Sequence, residues 1–310
     1  MILVCGEALI DLKVEAGTVQ VDPARFVAHP GGSPANVAVA VARLETEVAL
    51  CARLSGDGFG RLLRSHLERN GVDLRYAVDA EEPTSLAVVT VDGTGGPDYS
   101  FYVTATADWM WQPGELPSSL PESVHAIHAG SLALALPPGG DLIEEMLGRE
   151  RERRTITLDP NVRPRLVGDR DQYRRRLEAW VRIAHLVRVS DEDLRWTYPD
   201  ASPAETARRW ASSGPRFVVL TLGSQGSLGL LGEETLLMPS TPIEVVDTVG
   251  AGDSFMAGLL DWLERHDRLG PGLERLSSEE ARAALMFAGR VAAITCTREG
   301  ADPPRRAELG

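Results

Sequence analysis

The 310-residue chain predicts an α/β fold built on a mostly parallel sheet. Short apolar runs such as Ile2–Cys5 alternate with longer segments of helical character, the order expected of a parallel sheet with helices on both faces. Polar or glycine-rich turns follow the apolar runs, and strand ends in such a sheet share one edge. Five of these turns should therefore meet along that edge: 6–11, 159–163, 190–193, 221–226 and 247–253.

The same pattern gives the expected elements in chain order. Strands are expected at 2–5, 48–54, 85–91, 99–104, 124–129, 155–158, 186–189, 217–220, 228–231 and 235–238. Helices are expected at 34–44, 61–70, 141–149, 173–184, 203–213, 250–260 and 278–294. The β-branched and aromatic runs at 85–91 and 99–104 flank a turn, so they predict a β-hairpin that could cover a site as a lid or form an oligomer surface.

The composition excludes several classes of protein. A net charge of −13 argues against a nucleic-acid partner and against binding to an anionic membrane, because both need clustered Lys and Arg. No apolar run is long enough to cross a membrane, and no basic segment precedes an apolar run at the N-terminus. Cys5, Cys51 and Cys296 are too widely spaced for a metal or redox motif. We therefore expect a cytoplasmic protein with reduced, buried cysteines.

The most informative stretch runs from residue 247 to residue 260. Its first half is small and glycine-rich, and its second half has the apolar spacing of a buried helix. A helix that begins near Gly250–Gly252 presents free N–H groups and the positive end of its dipole, which bind anions such as phosphate. Asp253 would lie in the first turn, either to complement the dipole or to act as a base beside a phosphoryl group.

A second glycine-rich turn opens the first predicted helix. Ser33 fits an N-cap and Pro34 the first helical position. Gly31 and Gly32 would let a ligand approach the backbone, and Asn36 would face the same space from the first turn.

Each of the other polar residues that follow predicted strands has a functional and a structural interpretation. Asp11 and Arg163 could bind a hydroxyl or an anion, or could be a turn aspartate and an exposed loop arginine. The acidic loop at 190–193 could collect hydrated Mg²⁺ or cap a helix. Glycines in the loop at 221–226 would let a nucleotide lie against bare backbone. The chain has neither Gly-x-Gly-x-x-Gly nor a Walker A sequence, so a Rossmann or P-loop site is unsupported.

Three motifs in register resemble those of the PfkB carbohydrate kinases, the ribokinase-like family. Residues 247–255 resemble its C-terminal signature, 31–38 its N-terminal signature and 221–226 its Thr-x-Gly-x-x-Gly nucleotide loop. The resemblance covers essentially the whole chain. It implies one domain, 1–310, with a three-layer αβα ribokinase-like fold and a small β-sheet lid formed by about 12–22 and 84–104.

The resemblance also implies an ATP-dependent sugar kinase and a role for each motif residue. Asp253 would take the proton from the sugar hydroxyl, and an anion hole for the phosphoryl group would be formed by Gly250, Ala251 and Gly252. The sugar would be held by Asp11, Gly32, Asn36 and Arg163. ATP would lie against Ser190, Thr221, Gly223 and Gly226.

Two metal sites follow from the same resemblance. The family's Asn-x-x-Glu on the Mg²⁺ side reads Ser190-x-x-Asp193 here, so Asp193 would act through water with a side chain one methylene shorter. The family's K⁺ site, which the sequence leaves open, would use carbonyls near Asp247, Val249, Thr295 and Gly300.

Fewer residues indicate which sugar is the substrate than indicate the family. The patterns at 6–11, 107–109, 128–132 and 159–163 look most like fructokinases, which makes fructose the expected sugar. A 2-keto-3-deoxygluconate kinase, a ribokinase, a nucleoside kinase and a catalytically silent sugar- or nucleotide-binding paralogue are the alternatives. Kinases of this kind are often dimers joined through the lid, so a homodimer through the β-lid is expected.

Overall fold

The computed structural model describes residues 1–14, 24–91 and 97–310, and its strands and helices alternate along most of the chain. The strands are β1 (Ile2–Cys5), β2 (Leu9–Val14), β3 (Phe26–Gly31), β4 (Val48–Cys51), β5 (Arg53–Ser55), β6 (Val78–Ala80), β7 (Leu86–Val91), β8 (Pro97–Tyr102), β9 (Ala126–Gly130), β10 (Thr155–Asp159), β11 (Leu186–Ser190), β12 (Phe217–Thr221), β13 (Ser227–Leu231) and β14 (Glu234–Met238). The α-helices are α1 (Ser33–Arg43), α2 (Gly58–Arg69), α3 (Ser131–Ala135), α4 (Gly139–Glu150), α5 (Arg170–Ile183), α6 (Asp191–Thr197), α7 (Pro203–Ala211), α8 (Ala251–Arg265) and α9 (Ser278–Cys296).

Eight strands form the main sheet in the order β14-β13-β12-β11-β10-β9-β1-β4. The pairs from β4 to β12 are parallel, and β13 and β14 continue the sheet antiparallel. The C-terminal ends of six neighbouring strands therefore lie along one edge, as the sequence predicts.

Helices cover both faces of this sheet and bury two separate cores. Alternate residues of β1 point to opposite sides: Ile2 and Val4 join a core with α1, α8 and α9, whereas Leu3 and Cys5 join a core with α4, α5 and α7. The predicted three-layer αβα arrangement is confirmed. Within the described ranges, none of the helices is long and apolar enough to cross a membrane.

A second sheet of four strands, which we call the lid sheet, has the order β3-β2-β7-β8. Its outer pairs are antiparallel and its central pair, β2 with β7, is parallel. The predicted hairpin at 85–91 and 99–104 is present as β7 and β8. The other predicted lid segment, about 12–22, begins in β2, and its residues 15–22 lie outside the described residues.

Several predicted boundaries are wrong for local reasons. The run at 48–54 is two strands, since the chain leaves the main sheet after Cys51 and β5 pairs with β6 instead. Helix α2 begins at Gly58 because the Asp57 carboxylate caps it, accepting a hydrogen bond from the Gly60 N–H at 2.7 Å. The strands β2 and β3 and the short helices α3 and α6 escaped the sequence pattern.

Asp108 lies where the main sheet and the lid sheet are connected. Its Oδ1 accepts a hydrogen bond from the Ala8 N–H at 2.9 Å, in the turn that leads from β1 to β2. The neighbouring residue Ala107 donates to the Pro83 carbonyl, just before β7. Asp108 is only 2% exposed, and among the described residues its Oδ2 has no hydrogen-bond partner. This burial raises the pKa of Asp108 to about 7.

We expect Asp108→Asn to stabilise the protein at pH 8 and to lose that advantage at pH 5. The pKa of Asp108 is about 7 in the folded protein and about 3.9 in an unfolded chain, so the unfolded state binds fewer protons between these values. Stability from this group therefore falls as the pH rises from 4 to 7, by an amount on the order of a few kcal/mol, and asparagine removes that loss.

The measurement is urea unfolding of both proteins at pH 5, 6, 7 and 8. Asp79→Asn is the matched control, because the Asp79 side chain is 93% exposed. A stability difference between Asp108→Asn and wild type that stays constant over this pH range would contradict the assignment.

Candidate active site

A cavity of about 660 Å³ lies between the C-terminal edge of the main sheet and the lid sheet. Four of the five predicted turns line it, with residues from 6–11, 159–163, 190–193 and 247–253. The lid sheet contributes Leu9, Asp11 and Lys13 from β2, Ala87 and Val89 from β7, and Phe101 from β8. The fifth turn, 221–226, does not reach the cavity wall.

The N-terminus of α8 opens into this cavity. Gly250 precedes the helix in the left-handed region, with φ of 74°, and a Cβ there would lie 2.6 Å from the Cβ of Ala301. The helix follows an irregular stretch rather than a strand, so the prediction that the turn at 247–253 follows a strand is wrong. The Ala251 N–H donates to the Thr248 carbonyl at 3.2 Å. The free first-turn N–H groups are therefore those of Gly252 and Asp253.

The carboxylate of Asp253 lies in the first turn of α8 and is 8% exposed. Its Oδ1 accepts a hydrogen bond from the Ser33 hydroxyl at 2.7 Å, and its Oδ2 accepts one from the Asn36 amide at 2.9 Å. Burial raises the pKa of Asp253, while these two hydrogen bonds partly offset the increase. The arrangement keeps a fixed, relatively basic carboxylate next to free N–H groups.

Ser33 does not cap α1 as the sequence predicts. The N-cap is Gly32, with φ of 97°, and Ser33 is the first helical residue, so its hydroxyl is free to reach Asp253. A Cβ on Gly32 would lie 2.7 Å from the Glu7 carbonyl oxygen. Only glycine fits both the backbone angle and this close approach, which together set where Ser33 and Asn36 point.

All four residues predicted to hold a sugar line the cavity: Asp11, Gly32, Asn36 and Arg163. Burial raises the pKa of Asp11, and the positive charges of Lys13 and Arg163 partly offset the increase. The Arg163 Nη1 donates to the Asn161 side-chain oxygen at 2.7 Å, which holds the guanidinium at the cavity wall. A polar ligand placed among these groups would meet both hydrogen-bond donors and acceptors.

Of the four residues predicted to bind the nucleotide, only one lines the cavity. Ser190 lines the cavity and also caps α6, accepting a hydrogen bond from the Asp193 N–H at 3.0 Å. Thr221 is not part of the cavity wall, but its hydroxyl accepts a hydrogen bond from Arg188, which is. Gly223 and Gly226 lie in the turn between β12 and β13, outside the cavity lining.

The predicted Mg²⁺ residue, Asp193, lines the cavity next to Glu192. Its Oδ1 accepts a hydrogen bond from the Val162 N–H at 3.0 Å. Burial raises the pKa of Asp193, and the nearby Asp159 raises it further. No group of three or more metal-ligating side chains occurs among the residues that the structure describes.

The four predicted K⁺ residues lie on two adjoining segments of the chain. The Asp247 carboxylate accepts hydrogen bonds from the Val249 N–H at 3.0 Å and the Gly300 N–H at 2.9 Å, which joins the two segments. Burial favours a higher pKa for Asp247, but these hydrogen bonds outweigh it and lower the pKa. Thr295 is fully buried, and its hydroxyl donates to the Ser254 hydroxyl at 2.9 Å.

Sequence reasoning did not single out a buried ion pair at this site, formed by Arg188 and Asp159. Arg188 lies in β11 and donates to Asp159 Oδ2 at 2.8 Å and to the Thr221 hydroxyl at 2.7 Å. Asp159 ends β10 and is 1% exposed. An arginine between valines in an apolar strand was the available signal, because a buried charge needs a partner or a function.

Comparisons with known proteins agree with one another. The family profile described as "pfkB family carbohydrate kinase" matches residues 1–307. The fructokinase of Rhizobium leguminosarum bv. trifolii is 34% identical over 269 residues, which are 87% of this chain and 81% of that protein. A fructokinase with bound ATP from Xylella fastidiosa has a TM-score of 0.91 at 26% identity, covering 99% of this chain and 96% of that one. A Vibrio cholerae O395 fructokinase double mutant in fructose, ADP and potassium ion bound form has a TM-score of 0.85 at 27% identity, covering 100% and 97%.

We expect Ser33→Ala to raise the pKa of Asp253 above its wild-type value. The hydroxyl stabilises the ionised carboxylate, and a hydrogen bond to a charged group contributes about 1.5–3 kcal/mol. Titration of ¹³C-labelled aspartate carboxyl groups by NMR measures the change. Ser240→Ala is the control, since Ser240 is an exposed residue that bonds the Ser224 carbonyl. An Asp253 titration that Ser33→Ala leaves unchanged would disprove the role of this hydrogen bond.

Proposed function

The chain belongs to the pfkB family of carbohydrate kinases, and we propose from this premise that it is an ATP-dependent fructokinase in which Asp253 is the catalytic base. The observation that carries the proposal is the buried Asp253 carboxylate at the N-terminus of α8, inside a cavity closed on one side by the lid sheet.

The proposed reaction transfers the γ-phosphoryl group of ATP to a sugar hydroxyl. Asp253 accepts the proton of that hydroxyl, and burial, which raises its pKa, makes it a stronger base than an exposed aspartate. The N–H groups of Gly252 and Asp253 and the dipole of α8 stabilise the charge on the transferring group. Phosphoryl transfer depends mainly on such positioning and electrostatic stabilisation. Gly250 and Ala251 shape the turn that aims these N–H groups.

Fructose is the proposed sugar because the chain is similar to proteins named fructokinase. The Rhizobium relative is called fructokinase, and the Vibrio cholerae structure contains fructose. The sugar would lie between α1 and the lid sheet, against Asp11, Gly32, Asn36 and Arg163. In that position one hydroxyl faces Asp253, while the remaining hydroxyls meet the charged and amide groups.

ATP would extend from the α8 N-terminus across Ser190 toward the turn that contains Thr221, Gly223 and Gly226. The carboxylates of Glu192 and Asp193 provide oxygen atoms, which Mg²⁺ prefers, and Mg²⁺ bound to ATP usually keeps several water ligands. The donor set therefore fits Asp193 acting through water. Bound Mg²⁺ would neutralise charge on the phosphates.

K⁺ would lie where the segments of 247–249 and 295–300 adjoin. The Vibrio cholerae fructokinase structure contains a potassium ion, and Asp247 already joins these two segments here. Backbone carbonyls of Val249, Thr295 and Gly300 would be the ligands. A cation there would add positive charge close to the start of α8.

We expect ADP release with fructose and ATP, and a loss of about 10²–10⁴ in kcat in Asp253→Asn, because the amide cannot accept the proton. A coupled assay over fructose, ribose, 2-keto-3-deoxygluconate and nucleosides measures both. Asp171→Asn is the control, because the Asp171 side chain is 63% exposed.

A different best substrate in the panel would correct the sugar and keep the mechanism. Activity of Asp253→Asn close to the wild-type rate would refute the mechanism. Thermal stabilisation by ATP with no turnover of any sugar would instead indicate a silent binding protein.

A homodimer through the lid sheet is the second part of the proposal. Phe26 and Val27 on β3 are 46% and 47% exposed, and Tyr102 on β8 is 61% exposed. Both strands are edges of the lid sheet, where unpaired backbone and exposed apolar side chains favour association.

The cytoplasmic location stays a prediction.

Light scattering should give twice the chain mass for the wild type and the single chain mass for Val27→Asp/Tyr102→Asp. Buried aspartates at the joined edges would disrupt the contact. Leu237→Asp, on the exposed strand β14, should leave the dimer intact. A monomeric wild type, or a dimer that survives the double substitution, argues against this interface.

A further inference from the structure

We propose that the guanidinium of Arg188 is the fixed cation of the anion hole, where it attracts the transferring phosphoryl group of ATP to the N-terminus of α8. This inference rests on the proposed function and names a further catalytic residue for the same site. Four features of the structure carry it: the place of Arg188 in the sheet, its contact with Gly252, its rigid support and the charge around it.

Arg188 occupies a position in the main sheet where an apolar residue would be expected. Its neighbours Val187 and Val189 are buried on the opposite face of β11, and Arg188 itself is 8% exposed. The side chain nevertheless reaches the cavity and forms part of its lining. A buried guanidinium is costly unless its charge is used or compensated.

The guanidinium lies directly against Gly252. A Cβ built on Gly252 would be 2.6 Å from Nη1, 2.9 Å from Nη2 and 3.0 Å from Cζ of Arg188. Gly252 lies inside α8, where other residues adopt the same backbone conformation without strain. The backbone angle would therefore accept a side chain at this position, but the guanidinium would have to shift to make room for it. This contact places a positive charge beside a free N–H group of the helix start.

Two hydrogen bonds hold the guanidinium in this place. Nη1 donates to Asp159 Oδ2 at the end of β10, and Nη2 donates to the Thr221 hydroxyl at the end of β12. Both partners come from strands that flank β11, so the main sheet itself fixes the charge. A donor fixed before the reaction needs no reorganisation when charge develops. Within the described part of the chain, Nε has no hydrogen-bond partner.

A polyphosphate could bind at this depth of the cavity only if a cation offset the negative charge of the wall. Carboxylates of Asp253, Asp193 and Glu192 line it, and each would repel a polyphosphate. Burial lowers the pKa of Arg188, but the charges of Asp159, Asp193 and Asp253 outweigh it and leave the pKa raised, so the guanidinium stays positive. The other lining cations that the structure describes, Lys13, Arg163 and Arg165, are more exposed and come from β2 and the loop after β10.

A purely structural ion pair with Asp159 is the competing explanation. Removing Arg188 alone would leave Asp159 buried and unpaired, and the resulting instability could by itself lower activity. The double variant Arg188→Met/Asp159→Asn removes both charges together. Arg188→Lys keeps the charge but loses the planar fork of donors. These variants separate a role in phosphate binding from a role in folding.

The experiment measures thermal unfolding, ATP and ADP affinity by calorimetry, and kcat and KM in the coupled assay. We expect kcat to fall about 100-fold in both Arg188→Met and the double variant, the loss typical for removing one donor to a developing oxyanion. Affinity for ATP should fall about tenfold more than affinity for ADP, because the γ-phosphoryl group loses a charged contact. Arg188→Lys should recover part of both losses. Arg195→Met, at a side chain that is 62% exposed, should match the wild type.

A folded double variant that keeps kcat within about threefold of the wild type and an unchanged ratio of ATP to ADP affinity would overturn the inference, since it would lack the loss expected for a missing donor. If Arg188→Met does not fold, the double variant and Arg188→Lys decide the outcome. The affinity ratio is measured without a sugar. A wild type that binds ATP but phosphorylates nothing would thus refute the proposed function while Arg188 is still tested.

Discussion

The hydrogen bonds from Ser33 and Asn36 to Asp253 are the contact on which the site depends. They connect the first turn of α1 with the first turn of α8, which are distant in sequence and packed side by side. Burial of a carboxylate is unfavourable, and here two side-chain donors and the helix dipole offset part of that cost. Because both carboxylate oxygens are held, the side chain has one orientation, with its charge facing the cavity. A base that is fixed before the substrate binds is the physical requirement for efficient proton transfer.

Glycine makes this contact between helices achievable. At Gly32 the positive φ and the nearby Glu7 carbonyl exclude a side chain, whereas at Gly252 a side chain would displace the guanidinium of Arg188 from its present position. The two glycines therefore serve different purposes, one to turn the backbone and one to admit a charge. Motifs of this kind combine reactive side chains with the empty space that those side chains require. The parallel sheet then adds its strand-end residues along the same edge.

More of the fold than of the site could be predicted from the sequence. Short runs rich in apolar and β-branched residues identified β1, β10, β11 and β12, since strands buried on both faces are mostly apolar. The strands β2 and β3 were missed because they belong to a small sheet with one covered face and contain polar residues. The carboxyl ends of the parallel strands correctly indicated the edge of the main sheet at which the cavity lies. Its detailed contacts did not: Ser33 matches the N-cap preference perfectly well, and only the packing of α1 against α8 shows that its hydroxyl serves Asp253.

The division between the main sheet and the lid sheet also separates chemistry from specificity. The proposed base Asp253, the free N–H groups and Arg188 belong to the main sheet and its helices, where burial and hydrogen bonds leave little freedom. The walls that would touch a sugar come from the lid sheet and from the loop after β10, which are joined to the main sheet through the connection around Asp108. Substitutions in those walls would change which hydroxyl groups of a sugar are matched without moving Asp253. With these proposed roles, one arrangement of base and helix N-terminus would serve several sugars, because the reaction would depend on the core and the choice of substrate on the lid side of the cavity.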